Sequence, residues 1–151
     1  MEQKKTFILL VDDNLNEHVF FIHTLKQIEH DTKLQTINGS IDLLKYLGNK
    51  QNPIPDILFL DVNMPLKNGK ECLRDLRADR RYDAMPIVTY STSDAQRDID
   101  DAYIMGANLY LRKPDEMSDL TNLLSIVIDM YHKGHLKNID RDKFLLSSAS
   151  R

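Results

Sequence analysis

The sequence predicts a doubly wound α/β fold: one parallel sheet with helices on both faces. Three observations predict it. Short apolar runs alternate with amphipathic stretches along most of the chain. Runs such as Phe7–Val11 and Ile57–Leu60 are apolar throughout, as buried strands are. Four of the runs end in a polar group: Asp12-Asp13, Asp61, Ser91 and Lys113. Sheets of this kind bind ligands beyond the carboxyl ends of their strands, so the polar ends mark a candidate site.

The elements follow in order. Thr6–Val11 is the first strand. Leu15, Val19, Ile22 and Leu25 recur at helical spacing behind it, with Asn14 and Glu17 placed as a capping pair. Lys33–Asn38 alternates and reads as a more exposed strand; Gly39-Ser40 then opens a short helix carrying Leu43, Leu44 and Leu47. The polar, proline-containing segment Gly48–Pro55 is a loop. Asp56–Leu60 is the central strand, and Gly69–Ala78 is a helix with Cys72, Leu73 and Leu76 inward. Pro86 opens the strand Ile87–Tyr90, where a missing donor is tolerated. Asp94 is expected to cap a helix running to Met105 and ended by Gly106, and Asn108–Leu111 is the fifth strand. The last helix is the clearest: Leu120, Leu123, Leu124, Val127, Ile128 and Tyr131 form one apolar stripe, stopped by Gly134. The domain is therefore expected over residues 1–134. Residues 135–151 are expected to form a frayed, flexible tail, with a docking helix around Phe144-Leu145-Leu146 as the alternative.

Composition narrows the function. At 151 residues the chain holds one domain with a real core. A net charge of −3 gives no long-range pull toward nucleic acid or anionic lipid, and neither is expected as a partner. The single cysteine cannot form an internal disulfide and fits a reducing compartment. The N-terminal apolar run stops at Asp12, too short for a signal peptide core or a membrane span, so a cytoplasmic protein without membrane insertion is expected.

Asp12, Asp13 and Asp61, brought together, would repel one another unless a cation were present. An oxygen-only set without His or Cys suits Mg²⁺ or Mn²⁺ rather than zinc. The five histidines show no strand-end placement, and a surface role is the expectation for each. Ser91 lies in a hydroxyl-rich string that leaves open which hydroxyl faces the site. Lys113 precedes Pro114, where a cis bond would aim the ammonium back over the strand ends.

The ordered set of Asp-Asp, Asp, hydroxyl and Lys-Pro at successive strand ends resembles the receiver domain of two-component response regulators, of the chemotaxis-regulator type. The matching strings are Ile8-Leu9-Leu10-Val11-Asp12-Asp13, Leu60-Asp61-Val62-Asn63-Met64-Pro65, Gly69, Pro86-Ile87-Val88, Gly106-Ala107 and Lys113-Pro114, and they span roughly residues 5 to 132. The resemblance implies a five-stranded sheet in the flavodoxin-like order 2-1-3-4-5. It implies that Asp61 accepts a phosphoryl group from a histidine kinase, a histidine phosphotransfer protein or a small phosphodonor. Asp13, Asp61 and the Asn63 carbonyl would hold Mg²⁺, with Asp12 orienting its waters. Ser91 and Lys113 would bind the phosphoryl oxygens, and Tyr110 matches the family's aromatic switch position. Such transfer needs chiefly positioning and charge neutralisation.

Two departures stand out. Ser91 keeps the hydroxyl of the more usual threonine but lacks its methyl, and Thr92 follows where a smaller residue is common, which is expected to narrow access to the site. The loop Gly48–Pro55 looks long and resembles that of stand-alone receivers serving phytochrome-type kinases. The expected signal is a movement of Ser91 toward the phosphoryl group and an inward swing of Tyr110. The output face would carry Ile99 and Tyr103, and Tyr103 could equally be a half-buried core aromatic. A phosphorelay shuttle is an alternative role. A Mg²⁺-dependent phosphohydrolase is disfavoured because Asn63 stands where a second acid would be needed. A flavin carrier is disfavoured because anionic strand ends would repel the cofactor's phosphate.

Overall fold

The computed structural model describes residues 5–63 and 68–148. Five strands, β1 (Thr6–Val11), β2 (Thr32–Ile37), β3 (Ile57–Leu60), β4 (Ile87–Ser91) and β5 (Leu109–Arg112), alternate with five helices, α1 (Leu15–Lys26), α2 (Ser40–Gly48), α3 (Gly69–Ala78), α4 (Gln96–Ile104) and α5 (Met117–His132). A two-residue strand, β6 (Leu145–Leu146), follows. All pairings are parallel, in the order β2-β1-β3-β4-β5-β6. The expected five-strand order is thus present, extended by one strand at the β5 edge.

Alternation along the strands divides the core into two layers. Ile8, Leu10, Ile57, Phe59, Val88, Tyr90, Leu109 and Leu111 pack beneath α1 and α5. Leu9, Val11, Leu58, Leu60 and Ile87 face the other way, against α2 and α3. Strands β1, β3 and β4 are buried along their whole length, while β2, at the sheet edge, alternates with partly exposed positions. That difference is the one the sequence pattern carries.

Four expectations need correction. Along α1 the inward residues are His18, Phe21, Thr24 and Leu25, whereas Leu15 and Val19 are 65% and 52% exposed. Phe21 displaces them because its ring meets Phe59 and Tyr90 edge-on, with centroids 5.1 and 5.7 Å away. Asn14 does cap the helix, accepting from Asn16 N. At α4 the cap position is Ala95, not Asp94, which instead lies 3.6 Å from Arg112. The Lys113–Pro114 bond is not cis, since no cis peptide occurs among the described residues. Trans is the lower-energy form for X–Pro, and here Lys113 N–H simply continues the ladder by donating to Ser91 O at 2.7 Å.

The fourth concerns the C-terminal segment. Residues 135–148, read from the sequence as a frayed tail, fold back along β5 in the structure. Tyr110 N donates to Phe144 O, and Phe144 is buried with Ile99, Ala102 and Tyr110. Leu136 is buried too, and its carbonyl accepts from Asn108 Nδ2. A few apolar residues among polar ones carry no periodicity, so this packing leaves little trace in the pattern.

The turns into β4 and β5 are held by one side chain. Arg77 donates to Gly106 O, Tyr82 O, Met85 O and Asn108 Oδ1. Gly106 sits at φ +101°, and a Cβ there would come within 2.8 Å of Arg77 Cγ.

Candidate phosphoryl-acceptor site

The carboxyl ends of β1, β3, β4 and β5 bring the predicted groups together. Asp12 ends β1 and is fully buried. Its Oδ1 accepts from Asn14 N at 2.9 Å and its Oδ2 from Lys113 Nζ at 2.8 Å. Asp61 ends β3 and is 6% exposed; its Oδ1 accepts from Asn63 N at 2.9 Å, and its Oδ2 lies 3.6 Å from Lys113 Nζ. Asp13 is exposed beside them. Oxygens of the three carboxylates lie within 4.8 Å of one another. Met64 and Pro65, in the loop beyond Asp61, lie outside the described residues.

Burial dominates the electrostatics. It pushes the Asp61 carboxyl up to about 6; Lys113 and the Asn63 N–H oppose that rise, and Asp12 adds to it. For Lys113, burial works against the charge, but Asp61 and Asp12 more than offset it and hold the ammonium above its ordinary value. Among the described residues, the Lys113 ammonium thus meets two of the three clustered carboxylates, those of Asp12 and Asp61. This hard, anionic, oxygen-only set fits a divalent cation by the chemistry of its donors.

Ser91 is the buried hydroxyl at the end of β4. Its Oγ accepts from Asn63 Nδ2 at 2.9 Å and from Ser93 N at 3.1 Å. Thr92 is exposed at the rim, and its carbonyl accepts from Arg112 Nε. Ser93 carries the path further. Its Oγ donates to Asp98 Oδ2 at 2.5 Å, and its carbonyl accepts from Tyr110 OH at 2.9 Å. Lys70 then bridges Asp98 and Asp101 at 2.7 and 3.0 Å, tying the start of α3 to α4. Asp98 holds Lys70 above its usual value, and Lys70 together with Ser93 holds Asp98 below the ordinary carboxylate range.

Two expectations change here. Tyr110 is already inward, its ring buried under Phe144, so an inward swing has no outward starting point in this arrangement. His18 is not on the surface: it is buried, and its Nε2 lies 2.6 Å from Asp12 O. A carbonyl only accepts, so Nε2 carries the proton and the ring clamps the backbone at the first acidic residue.

Gly69 places the second layer. A Cβ at that position would lie 2.2 Å from Asp61 O, so α3 begins directly against the backbone of the strand end. Asn68 caps that helix by accepting from Glu71 N. The Asn63 amide, Ser93 and Lys70 were not singled out by sequence reasoning for these contacts. The only trace they left is proximity, Ser93 two residues past Ser91 and Asn63 two past Asp61.

A parallel sheet carrying three clustered carboxylates, a lysine and a hydroxyl at its carboxyl edge defines a phospho-accepting switch domain rather than a conventional catalytic enzyme. The family model for the response regulator receiver domain matches residues 8–125, and the chain belongs to that family. It is 32% identical over 109 residues to a chemotaxis protein CheY homolog of Campylobacter jejuni, covering 71% of this chain and 80% of that protein. It is 28% identical over 121 residues to the response regulator Rcp1 of Synechocystis sp., covering 78% and 82%. A solved Mn(2+)-bound form of Rcp1 superposes with a TM-score of 0.75 at 24% identity, covering 89% and 97%. The phosphorylated cyanobacterial phytochrome response regulator RcpA superposes with a TM-score of 0.76 at 25% identity, covering 87% of this chain and 96% of that one. No helix among the described residues is long and apolar enough to cross a membrane.

Proposed function

We propose that Asp61 is the phosphoacceptor of a cytoplasmic receiver domain that signals through protein contacts. One observation carries this reading: Asp61 is the buried carboxylate that Lys113, Asn63 and the Asp12–Asp13 pair surround. A carboxylate oxygen of Asp61 attacks the phosphorus of a phosphohistidine on a histidine kinase or phosphotransfer protein. The P–N bond breaks, the imidazole takes up a proton, and an aspartyl phosphate remains.

Asp13, Asp61 and the Asn63 carbonyl are the proposed ligands of Mg²⁺, with Asp12 beside them. The ion would neutralise the carboxylates and the incoming phosphoryl oxygens. Lys113 supplies the remaining positive charge and Ser91 a hydroxyl donor.

The signal leaves through hydrogen bonds. A phosphoryl group adds negative charge and acceptor oxygens at Asp61. Ser91 Oγ, now held by Asn63 and Ser93, turns to donate to them. Ser93 is then free to shift, and with it both Tyr110 and the Asp98–Lys70 contact. The face of Ile99, Tyr103 and Tyr110 changes as α4 moves, and that face is the proposed output surface.

The test is labelling with radioactive acetyl phosphate and Mg²⁺. Stoichiometric incorporation that is lost in Asp61→Asn supports the reading. Persistent labelling in that variant would place the acceptor elsewhere. Profiling against the host's histidine kinases, phytochrome-type kinases first because of RcpA, would then identify the donor. Onward transfer to a phosphotransfer protein would favour the shuttle role.

A further inference from the structure

Tyr90 stands beside the reacting groups yet takes no part in the chemistry above. It is fully buried on β4, one residue before Ser91 and on the opposite face of the sheet. Its ring meets Phe21 and Phe59 edge-on, with centroids 5.7 and 6.4 Å away. The three rings make a stiff block under the carboxyl edge, and Lys113 Nζ lies 4.8 Å from the Tyr90 centroid.

The hydroxyl is the odd part. It is buried and has no hydrogen-bond partner among the described residues. Burial, and then Glu17, Asp12 and Asp61, push the phenol far above its ordinary range, so it stays neutral. An unsatisfied buried hydroxyl is costly, and packing alone would be served by phenylalanine. The ring face is what the site uses. It offers the Lys113 ammonium a negative surface that neither titrates nor competes for the carboxylate oxygens.

We propose that Tyr90 is a positioning residue for phosphoryl transfer: its ring holds the Lys113 ammonium at the carboxyl edge of the sheet, ready for phosphoryl oxygens. The proposal rests on Asp61 as the acceptor. In the resting site Lys113 donates to Asp12 at 2.8 Å and lies 3.6 Å from Asp61. Both carboxylates change partners when the site is loaded. The ring does not, so it is the contact that persists while the ammonium exchanges one oxygen for another. Without it, the four-carbon stem would be free to follow Asp12 or to swing outward.

Beryllofluoride serves as the phosphoryl stand-in, with its affinity measured by calorimetry in Mg²⁺. Tyr90→Leu removes the ring face and keeps an apolar side chain, and it is expected to weaken binding roughly 3- to 30-fold, the range of a desolvated cation–ring contact. Tyr90→Phe keeps the ring and is expected to restore affinity to within about 2-fold of the parent. In a Lys113→Met background, the acetyl phosphate labelling rate should fall no further when Tyr90→Leu is added, because the ring acts through the lysine. Phe21→Leu loosens the same aromatic block without facing Lys113 and should leave the affinity near that of the parent. Equal losses in Tyr90→Phe and Tyr90→Leu, an additive loss in the double variant, or an equal loss in Phe21→Leu would each overturn the proposal. Should Tyr90→Leu fail to fold, Tyr90→Met carries the same expectation. A parent protein that does not bind beryllofluoride would instead sink the assignment of Asp61.

Discussion

Phe144 packs against Tyr110, with ring centroids 6.4 Å apart, and so a residue from beyond the last helix covers the aromatic at the proposed output face. Tyr103 closes the group from the other side, edge-on to Phe144 at 5.2 Å, with the Arg141 guanidinium over its own ring. Arg141 is also paired with Asp100 on α4. The proposed output face therefore carries a cover supplied by the same chain.

Phe144→Ala is expected to destabilise the fold by about 3–4 kcal/mol, the usual cost of deleting a buried aromatic. Urea unfolding measures it. Amide exchange at Tyr110, whose N–H donates to Phe144 O, should quicken in the same variant. A loss under about 1 kcal/mol would mean that the cover contributes little in solution.

Lys70 is expected to restrain α4. Its partners Asp98 and Asp101 are only partly buried, so Lys70→Met should cost roughly 1 kcal/mol or less of overall stability. Its local effect should be larger, because Asp98 and Asp101 on α4 then keep only the exposed Arg97, 3.9 Å from Asp101, to offset their charge among the described residues. Amide exchange across Gln96–Ile104 should quicken, and beryllofluoride should bind a few-fold more tightly because switching meets less resistance. Unchanged affinity would uncouple α4 from the phosphoryl site.

The raised Asp61 carboxyl has a consequence for stability. It ionises near 3.8 when unfolded and at about 6 when folded. Between those values the folded state binds more protons, so stability falls as the pH rises through that window and stays lower above it. Asp61→Asn carries no such charge. In metal-free buffer it should be more stable than the parent by about 1–3 kcal/mol at pH 7.5, with the gap closing toward pH 4. Divalent cation should raise the parent's melting temperature far more than the variant's. Equal pH profiles for the two proteins would disprove the raised value.

Gly69→Ala tests the close approach of α3. The added carbon would meet Asp61 O at 2.2 Å, and a backbone atom yields little. A loss of about 1–3 kcal/mol is expected, with slower labelling of Asp61 as the strand end is pushed aside. A variant with parental stability and labelling would mean that the helix start shifts at no cost.

Much of this was legible in the sequence, and the parts that were not share a physical reason. Strand runs and strand-end groups are local features, so Asp12, Asp61, Ser91 and Lys113 could be placed at one edge without coordinates. The bounds of α3 were readable as well, because Cys72, Leu73 and Leu76 recur at helical spacing. The inward face of α1 was misread because Leu15 and Val19 fit the helical period, whereas the choice of face was made by Phe21 meeting rings on β3 and β4. His18 was missed for a related reason: its partner is a backbone carbonyl, which no sequence pattern displays. The C-terminal segment was misread because one phenylalanine and two leucines form a strand only where β5 offers an open edge.

That edge bears on how the chain is made. Strand β5 leaves the ribosome well before Phe144 and its neighbours, so each nascent receiver passes through an interval with a full set of outward backbone groups on β5 and an uncovered Tyr110. Exposed edges of this kind are where nascent chains pair wrongly. The two residues of β6 and the single ring of Phe144 close that interval, so the segment after α5 is a late-made cover for the edge. A ribosome stalled before residue 144 would carry a receiver whose chemical site is complete and whose flank is still adhesive.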